Sequence, residues 1–550
     1  MAPPLRGYHS AQEVAFLVGR RREGSLPTAL TVVYRQFSGT PPPLSSGPES
    51  ENDMPAAQHG RPGAAGGLHA LGELADRLDD QIGKGVDELV QGRHARRLRR
   101  VGATHALEPG PGSLWIEGGP PARPGNSVQV LIDGAQALPR MAQAMQRARS
   151  HILVAGWYLT PWLQMTRGPD PVVLRGLLRE LASHVDVRVL LWAGAPLPVF
   201  LPWRHQVREV RDQLCAGVPL HCALDDHERP LHTHHEKLVV VDDEIAFVGG
   251  IDLTDFHGDR FDTNDHPLRG GVGWHDVAAE LRGPIVGDVA EHFRFRWHEV
   301  TGERLAAGRS PDPVGDTAAQ LAVTVPDRIY RGRPDGEFGI LEAYLRALRS
   351  AERLIYLENQ FLWSPEIVAV LREKLLHPPS DAFRLVLVLP SRPNNGGDDT
   401  RGQLGTLLDS DRDRRFLAAT LYAHEGALSR PVYVHAKVGL VDDRWLTVGS
   451  ANLNDHSLFN DTEVNIVTCD ERLVRETRLR LWAEHLEFPR ESIDGEPELV
   501  VDELWRPIAD EQAQRRQAGQ PMTHRLARLP HLSRQSRRLL GPLQGLIVDG

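Results

Sequence analysis

Two segments of this 550-residue chain carry the same pattern, 200 residues apart. The first reads His235-x-Lys237-x4-Asp242 and runs on to Gly249-Gly250. The second reads His435-x-Lys437-x4-Asp442 and runs on to Gly449-Ser450-x-Asn452. The whole chain has four lysines, Lys84, Lys237, Lys374 and Lys437, and two of them fill the equivalent slot. Self-similarity at a fixed offset means two copies of one folding unit. The flanking pattern agrees. In the first half a helix expected at 141–149 leads to a strand at 152–157, a helix at 172–181 and a strand at 187–192. In the second half a helix at 340–350 leads to a strand at 354–357, a helix at 365–376 and a strand at 385–389. The expected fold is α/β: two tandem αβ repeats related by a pseudo-twofold, mixed sheets flanked by helices, with the site at their interface.

The motifs lie in apolar runs that read as strands, so residues i and i+2 set each His beside its Lys on one face. The Asp-Asp pairs end these strands at turns. A second apolar run (245–248 or 445–448) then returns and stops in small residues, which let a phosphate approach the backbone. Two His and two Lys converging across a pseudo-twofold can split a phosphodiester without metal. One imidazole attacks phosphorus to form a phosphohistidine. The other gives its proton to the leaving alcohol and later takes one from water, work suited to a group titrating near neutrality. Lysines stabilise the nonbridging oxygens. The candidate catalytic set is His235, Lys237, Asp242, His435, Lys437 and Asp442; Ser450, Asn452 and Gly250 are candidates for holding the phosphate. Each imidazole also needs an acceptor on its other nitrogen. Glu463, 28 residues after His435, and Asp262, 27 residues after His235, are the candidates.

The paired motifs resemble the phospholipase D superfamily, over roughly 129–505, and most nearly its eukaryotic-type branch. That branch is matched by Gly249-Gly250-Ile251-Asp252-Leu253, Arg260-Phe261-Asp262, Trp274-His275-Asp276 and Glu358-Asn359-Gln360-Phe361. The resemblance implies a phospholipase D-like fold, His235 as nucleophile, His435 as acid, and a structural place for Asp242 and Asp442. It implies hydrolysis of glycerophospholipids to phosphatidic acid and headgroup alcohol, or transphosphatidylation to another alcohol. Cardiolipin synthase-like phosphatidyl transfer and a nuclease or DNA-end phosphodiesterase on the same scaffold are the alternatives.

Composition narrows these. Lys and Arg number 63 against 73 Asp and Glu, a net charge of −10, which disfavours nucleic acid as partner. No run of 18 apolar residues is present, and the amino-terminal charge order is wrong for a signal peptide, so a cytoplasmic protein is expected. A glycerophospholipid substrate implies peripheral membrane-surface contact, and the oligomeric state is left open with a monomer as the default. Three cysteines exclude a disulfide framework. No cofactor or metal is expected: His232, His234 and Glu236 share a strand face, yet no second ligand set stands at a zinc spacing.

The organisation expected is an extension at 1–105 with a disordered linker (38–67) and one amphipathic helix, repeats at 106–315 and 316–510, and a basic tail at 511–550. The helix, 68–89, runs into Arg93, Arg96, Arg97, Arg99 and Arg100, read as a solvated end. Trp157, Tyr158 and Trp162 read as core. In the tail, Arg525, Arg528, Arg534, Arg537 and Arg538 read as solvated, with docking on anionic lipid the competing use. Trp274-His275-Asp276 reads as a cap or a buried hydrogen-bonded pair. Glu358-Asn359-Gln360 reads equally as pocket lining or helix cap.

Overall fold

Apolar runs rich in Val, Leu and Ile become strands buried on both faces. In the computed structural model, which describes residues 83–530 other than 84, 197–200, 230 and 394–396, together with 532, they form two matching sheets. The linker and most of the helix expected at 68–89 lie outside the described residues, as do Arg534, Arg537 and Arg538. The first-half strands are β1 (Arg123–Ile132), β2 (His151–Gly156), β3 (Asp186–Trp192), β4 (His221–Asp225), β5 (Leu238–Val241), β6 (Ile245–Gly249), β7 (Gly273–His275) and β8 (Val277–Arg282). The second half gives β9 (Thr317–Val325), β10 (Glu337–Phe338), β11 (Leu354–Glu358), β12 (Arg384–Val388), β13 (Phe416–Glu425), β14 (Leu428–Val434), β15 (Val438–Val441), β16 (Trp445–Gly449), β17 (Glu463–Thr468) and β18 (Leu526–Arg528).

Hydrogen bonding orders the first sheet β4-β3-β2-β5-β6-β8-β1, with β2, β3 and β4 parallel and the rest antiparallel. The second runs β13-β12-β11-β15-β16-β17-β9 with the same senses. β1 pairs with β9 and joins the two. Position for position the orders superpose, so the pseudo-twofold is present in the strand topology itself.

Alternation along each strand assigns its faces. Leu153 and Ala155 of β2, Val240 of β5, Tyr356 of β11 and Leu440 of β15 share one core between the sheets, with the helices Ile285–Thr301 and Glu471–Leu486. Ile152 and Val154 face outward onto the helices Gly134–Gln146 and Leu174–Leu181. Ile355 and Leu357 face outward onto Gly339–Ser350 and Pro365–Leu376. Each such fully buried side chain is worth about 1.5–3 kcal/mol.

Several expectations change. Residues 85–100 are helical, but the basic end is not all solvated. Arg97 is buried, 2.6 Å from Asp327 and bonded to Asn460 and the Phe459 carbonyl, while His94 lies 2.7 Å from Glu366. The segment is anchored on the second half by buried ion pairs. Trp162 is 59% exposed, whereas Trp157 stacks on Trp192 in the core. The boundary at 510 falls inside the helix Arg506–Gln517, and β18 pairs antiparallel with β13. Arg525 and Arg528 are therefore held by Glu487 and Asp510 rather than by solvent.

Candidate active site

The two Asp-Asp pairs are the turns of equivalent hairpins. Asp242 and Asp243 both have φ 56°, Asp442 and Asp443 both φ 53°, the left-handed conformation of the two central residues of a type I′ turn. Asp242 accepts backbone N–H groups of Arg149, Ser150 and His151 at 2.7–2.9 Å. Asp442 accepts those of Glu352, Arg353 and Leu354 at 2.7–2.8 Å. Burial works against the charge on Asp242, but these bonds win and hold its carboxyl below the ordinary range. Both carboxylates are spent at the far end of the strand from the imidazoles, which removes them from the candidate catalytic set.

At the near end, His235 and Lys237 precede β5, and His435 and Lys437 lie between β14 and β15. They occupy extended but unladdered chain, not strand, because their backbone pairs across the interface. The His235 N–H donates to the Thr462 carbonyl at 2.9 Å, and the His435 N–H to the His275 carbonyl at 2.8 Å. The side chains cross likewise. His235 Nδ1 lies 2.9 Å from Glu463 Oε1 and His435 Nδ1 lies 2.7 Å from Asp276 Oδ2. Each imidazole is thus held by a carboxylate of the opposite half.

This corrects the acceptor assignment. Glu463 serves His235, not His435. Asp262 serves neither; it accepts the Trp274 N–H at 3.0 Å and pairs with Arg269 at 2.7 Å. Asp276, which sequence reasoning treated only as part of a buried pair, is the missed residue. It stands 41 residues after His235, whereas Glu463 stands 28 after His435. The first half carries thirteen more residues between its motif and its carboxylate, so equal spacing pointed to the wrong one.

The small residues after β6 and β16 make room for these carboxylates. A Cβ on Gly250 would sit 2.1 Å from Asp276 Oδ1. At the equivalent place Ser450 donates its hydroxyl to Glu463, as does Ser457 at 2.6 Å. Ser450 and Gly250 therefore act on the supporting carboxylates, not on a phosphate as expected. Asn452 is buried beside Lys437: its Nδ2 lies 3.5 Å from Gln360 Oε1, which also accepts Lys437 Nζ at 3.2 Å. Glu358-Asn359-Gln360 divides three ways. Gln360 enters the site, Asn359 Oδ1 accepts the N–H groups of Phe361 and Leu453, and Glu358 turns to His275 and His485. The His232, His234 and Glu236 side chains are structural: His232 meets His456, His234 meets Asp225, and Glu236 meets His292 and Arg296.

Arg260 is a second missed residue. It is buried with its guanidinium 3.4 Å from the Trp274 ring centroid, and Trp274 in turn packs 5.2 Å from His435. Its Nε and Nη1 meet no hydrogen-bond acceptor among the described residues. A buried cation with idle donors is costly unless an anion completes it. Burial, then the cations Lys437, Arg260 and Lys237 and the His235 ring, drive His435 well below the usual histidine range. Burial raises Asp276 to about 6 against Lys437 and Arg260, and burial, with a smaller push from Asp461, raises Glu463 to about 8 against Lys237. The site thus gathers Lys237, Lys437 and Arg260 around two oriented imidazoles, with Asp252, Asp276 and Glu463 as counter-charges, and the idle donors of Arg260 suit one bound anion.

Comparison with known proteins gives the same direction. A family model described as cardiolipin synthase, PLD-like domain, matches residues 344–483. Phospholipase D A of Dictyostelium discoideum is 28% identical over 467 residues, covering 66% of this chain and 36% of that protein. Phospholipase D1 of Schizosaccharomyces pombe is 24% identical, covering 70% of this chain and 38% of its own length. The chain is thus similar to phospholipases D and, over part of its second half, to the PLD-like domain. Cardiolipin synthase A of Pseudomonas aeruginosa is also 28% identical over 388 residues, covering 68% of this chain and 70% of that protein. The chain spans little more than a third of the length of the two phospholipases.

Proposed function

We propose that the protein is a phospholipase D-type phosphodiesterase that hydrolyses glycerophospholipids to phosphatidic acid and a free headgroup alcohol. One observation carries the reading: two imidazoles are each held at Nδ1 by a carboxylate of the other half, and His435 feels Lys437, Arg260, Lys237 and the His235 ring together. Fixing Nδ1 puts the chemistry at Nε2. His235 Nε2 attacks phosphorus, the bond to the headgroup oxygen breaks, and His435 Nε2–H protonates that oxygen. His435 then takes a proton from water, whose oxygen attacks phosphorus; the P–N bond breaks and phosphatidic acid leaves. The bound phosphodiester offsets the surrounding cations, so His435 gains its proton as substrate enters. Lys237, Lys437, Asn452 and the idle donors of Arg260 hold the nonbridging oxygens. Another alcohol in place of water gives transphosphatidylation. The substrate lies in a lipid surface, so contact with the membrane is peripheral; no helix among the described residues is long and apolar enough to cross one.

A second reading is phosphatidyl transfer to a lipid alcohol, favoured by the match to most of a cardiolipin synthase. Incubation of the purified chain with phosphatidylcholine, phosphatidylethanolamine or phosphatidylglycerol vesicles, and separately with single-stranded DNA, decides the class. Phosphatidic acid supports hydrolysis, cardiolipin supports transfer, and nucleotides or no product overturn both. His435→Gln lowers the rate by about 100- to 10,000-fold if the ring is the general acid.

A further inference from the structure

One residue before Asp276, His275 stands at the centre of a second buried cluster that the proposed reaction does not use. Its Nδ1 lies 3.1 Å from Asp133 Oδ1 and 3.0 Å from Glu484 Oε1. Glu484 Oε1 is 3.1 Å from His266 Nε2, and that nitrogen is 3.6 Å from Asp133 Oδ2. The four side chains are at most 1% exposed, and one ligand atom from each can be chosen so that all lie within 4.8 Å of one another.

Hydrogen bonding alone does not account for this convergence. An imidazole nitrogen carries at most one proton, yet His275 Nδ1 faces two carboxylates. Asp133 Oδ2, fully buried, has no hydrogen-bond donor among the described residues. The outer nitrogens face carboxylates, the placement found in metal centres, although His266 Nδ1 makes no hydrogen bond among the described residues. His275 Nε2 lies 2.8 Å from Glu358 Oε2 and His266 Nδ1 lies 3.4 Å from Asp262 Oδ2. A tetrahedral centre with bonds of about 2.0–2.2 Å separates its ligands by about 3.3–3.6 Å. With Asp133 Oδ1 as its ligand atom, three of the six ligand-to-ligand distances are 3.0–3.1 Å, just under that spacing, and a choice of one atom per residue keeps all six within 4.8 Å, so small side-chain adjustments would complete the centre.

We propose that Asp133, His266, His275 and Glu484 form a closed, four-coordinate structural site for a zinc-class divalent cation. Two imidazoles and two carboxylates suit such an ion better than calcium or magnesium, which take six or more oxygens. Three ligands come from the first half and Glu484 from the helix Glu471–Leu486 of the second, so the ion fastens the halves together. It also braces the active site: the Asp276 N–H donates to Asp133 Oδ1 at 3.2 Å, and the Asp133 N–H to the Asp276 carbonyl at 2.8 Å. The assignment is independent of the substrate class.

The test is elemental analysis of the full chain, purified from zinc-supplemented cells and dialysed, followed by thermal unfolding with chelator and with restored zinc. The expected result is about one ion per chain, an unfolding midpoint lowered by chelation and restored by zinc, and loss of the ion in His266→Gln and Glu484→Gln. Cobalt substitution should give the visible absorption of a four-coordinate ion. Less than about a tenth of an ion per chain, with an unfolding midpoint indifferent to zinc and chelator, overturns the proposal. So does an ion retained by both variants. The native stoichiometry is read directly, so a variant that fails to fold leaves the test intact.

Discussion

Glu463 meets two opposed demands. As a carboxylate it fixes the His235 ring; as a fully buried acid it resists ionising, and burial raises it from 4.5 to about 8 despite Lys237, Ser450 and Ser457. A group whose folded pKa is raised keeps its proton in the native state where the unfolded chain has lost it. Stability from this group is therefore intact below its ordinary value and declines as pH rises toward the folded value. Glu463→Gln removes both demands. Activity should fall by at least about a hundredfold, because the ring loses its anionic acceptor. The unfolding midpoint should meanwhile rise relative to native, more at about pH 8 than at about pH 5. Paired activity and melting curves check this; unchanged turnover, or a stability gain that grows toward acid, contradicts it. At the same scale, Arg260→Gln removes the donors assigned to the nonbridging oxygens. A charge-assisted hydrogen bond of about 1.5–3 kcal/mol predicts a loss of about 10- to 150-fold in kcat/KM. A native value of kcat/KM would exclude Arg260 from the phosphate site.

Hairpins do the positioning at the next scale. The turns at Asp242-Asp243 and Asp442-Asp443 are tied at their outer ends to the helices that follow in each half, Asp243 by Arg294 and Asp443 by Arg478. Asp442→Ala leaves three N–H groups without their carboxylate. It should cost about 1–3 kcal/mol in denaturant unfolding while turnover per folded molecule stays near native. A stable but inactive variant would return Asp442 to the catalytic set. The elements themselves were legible: the apolar runs before and after each motif became β2, β3, β5, β6 and their second-half equivalents within a residue or two. Periodicity reports which face of an element is buried. It does not report which strand of the other half a motif meets. Hence His235 and Lys237 were read onto a strand when they lie before it, and Glu463 was matched to the histidine nearest in sequence. Trp274-His275-Asp276 looked like one local pair, yet its two polar side chains turn to different clusters. Arg260 offered no signal beyond the family likeness, because its meaning lies in what fails to bond with it.

On the proposed reading, the chain as a whole is one catalytic unit divided between two sequence halves. The sheets match in strand order, β1 joins β9, and the carboxylate that holds each imidazole reaches it across the pseudo-twofold. Neither half holds a complete site: the first lacks a carboxylate for His235 and the second lacks one for His435. The most direct measurement is mass-spectrometric mapping of the chain quenched during turnover of a phospholipid, in native and His435→Gln forms. One phosphorus adduct per chain, on His235 and accumulating in the variant, is the predicted result. Adducts on both histidines of the same chain, or on neither, would contradict a single phosphorus centre shared by the two halves.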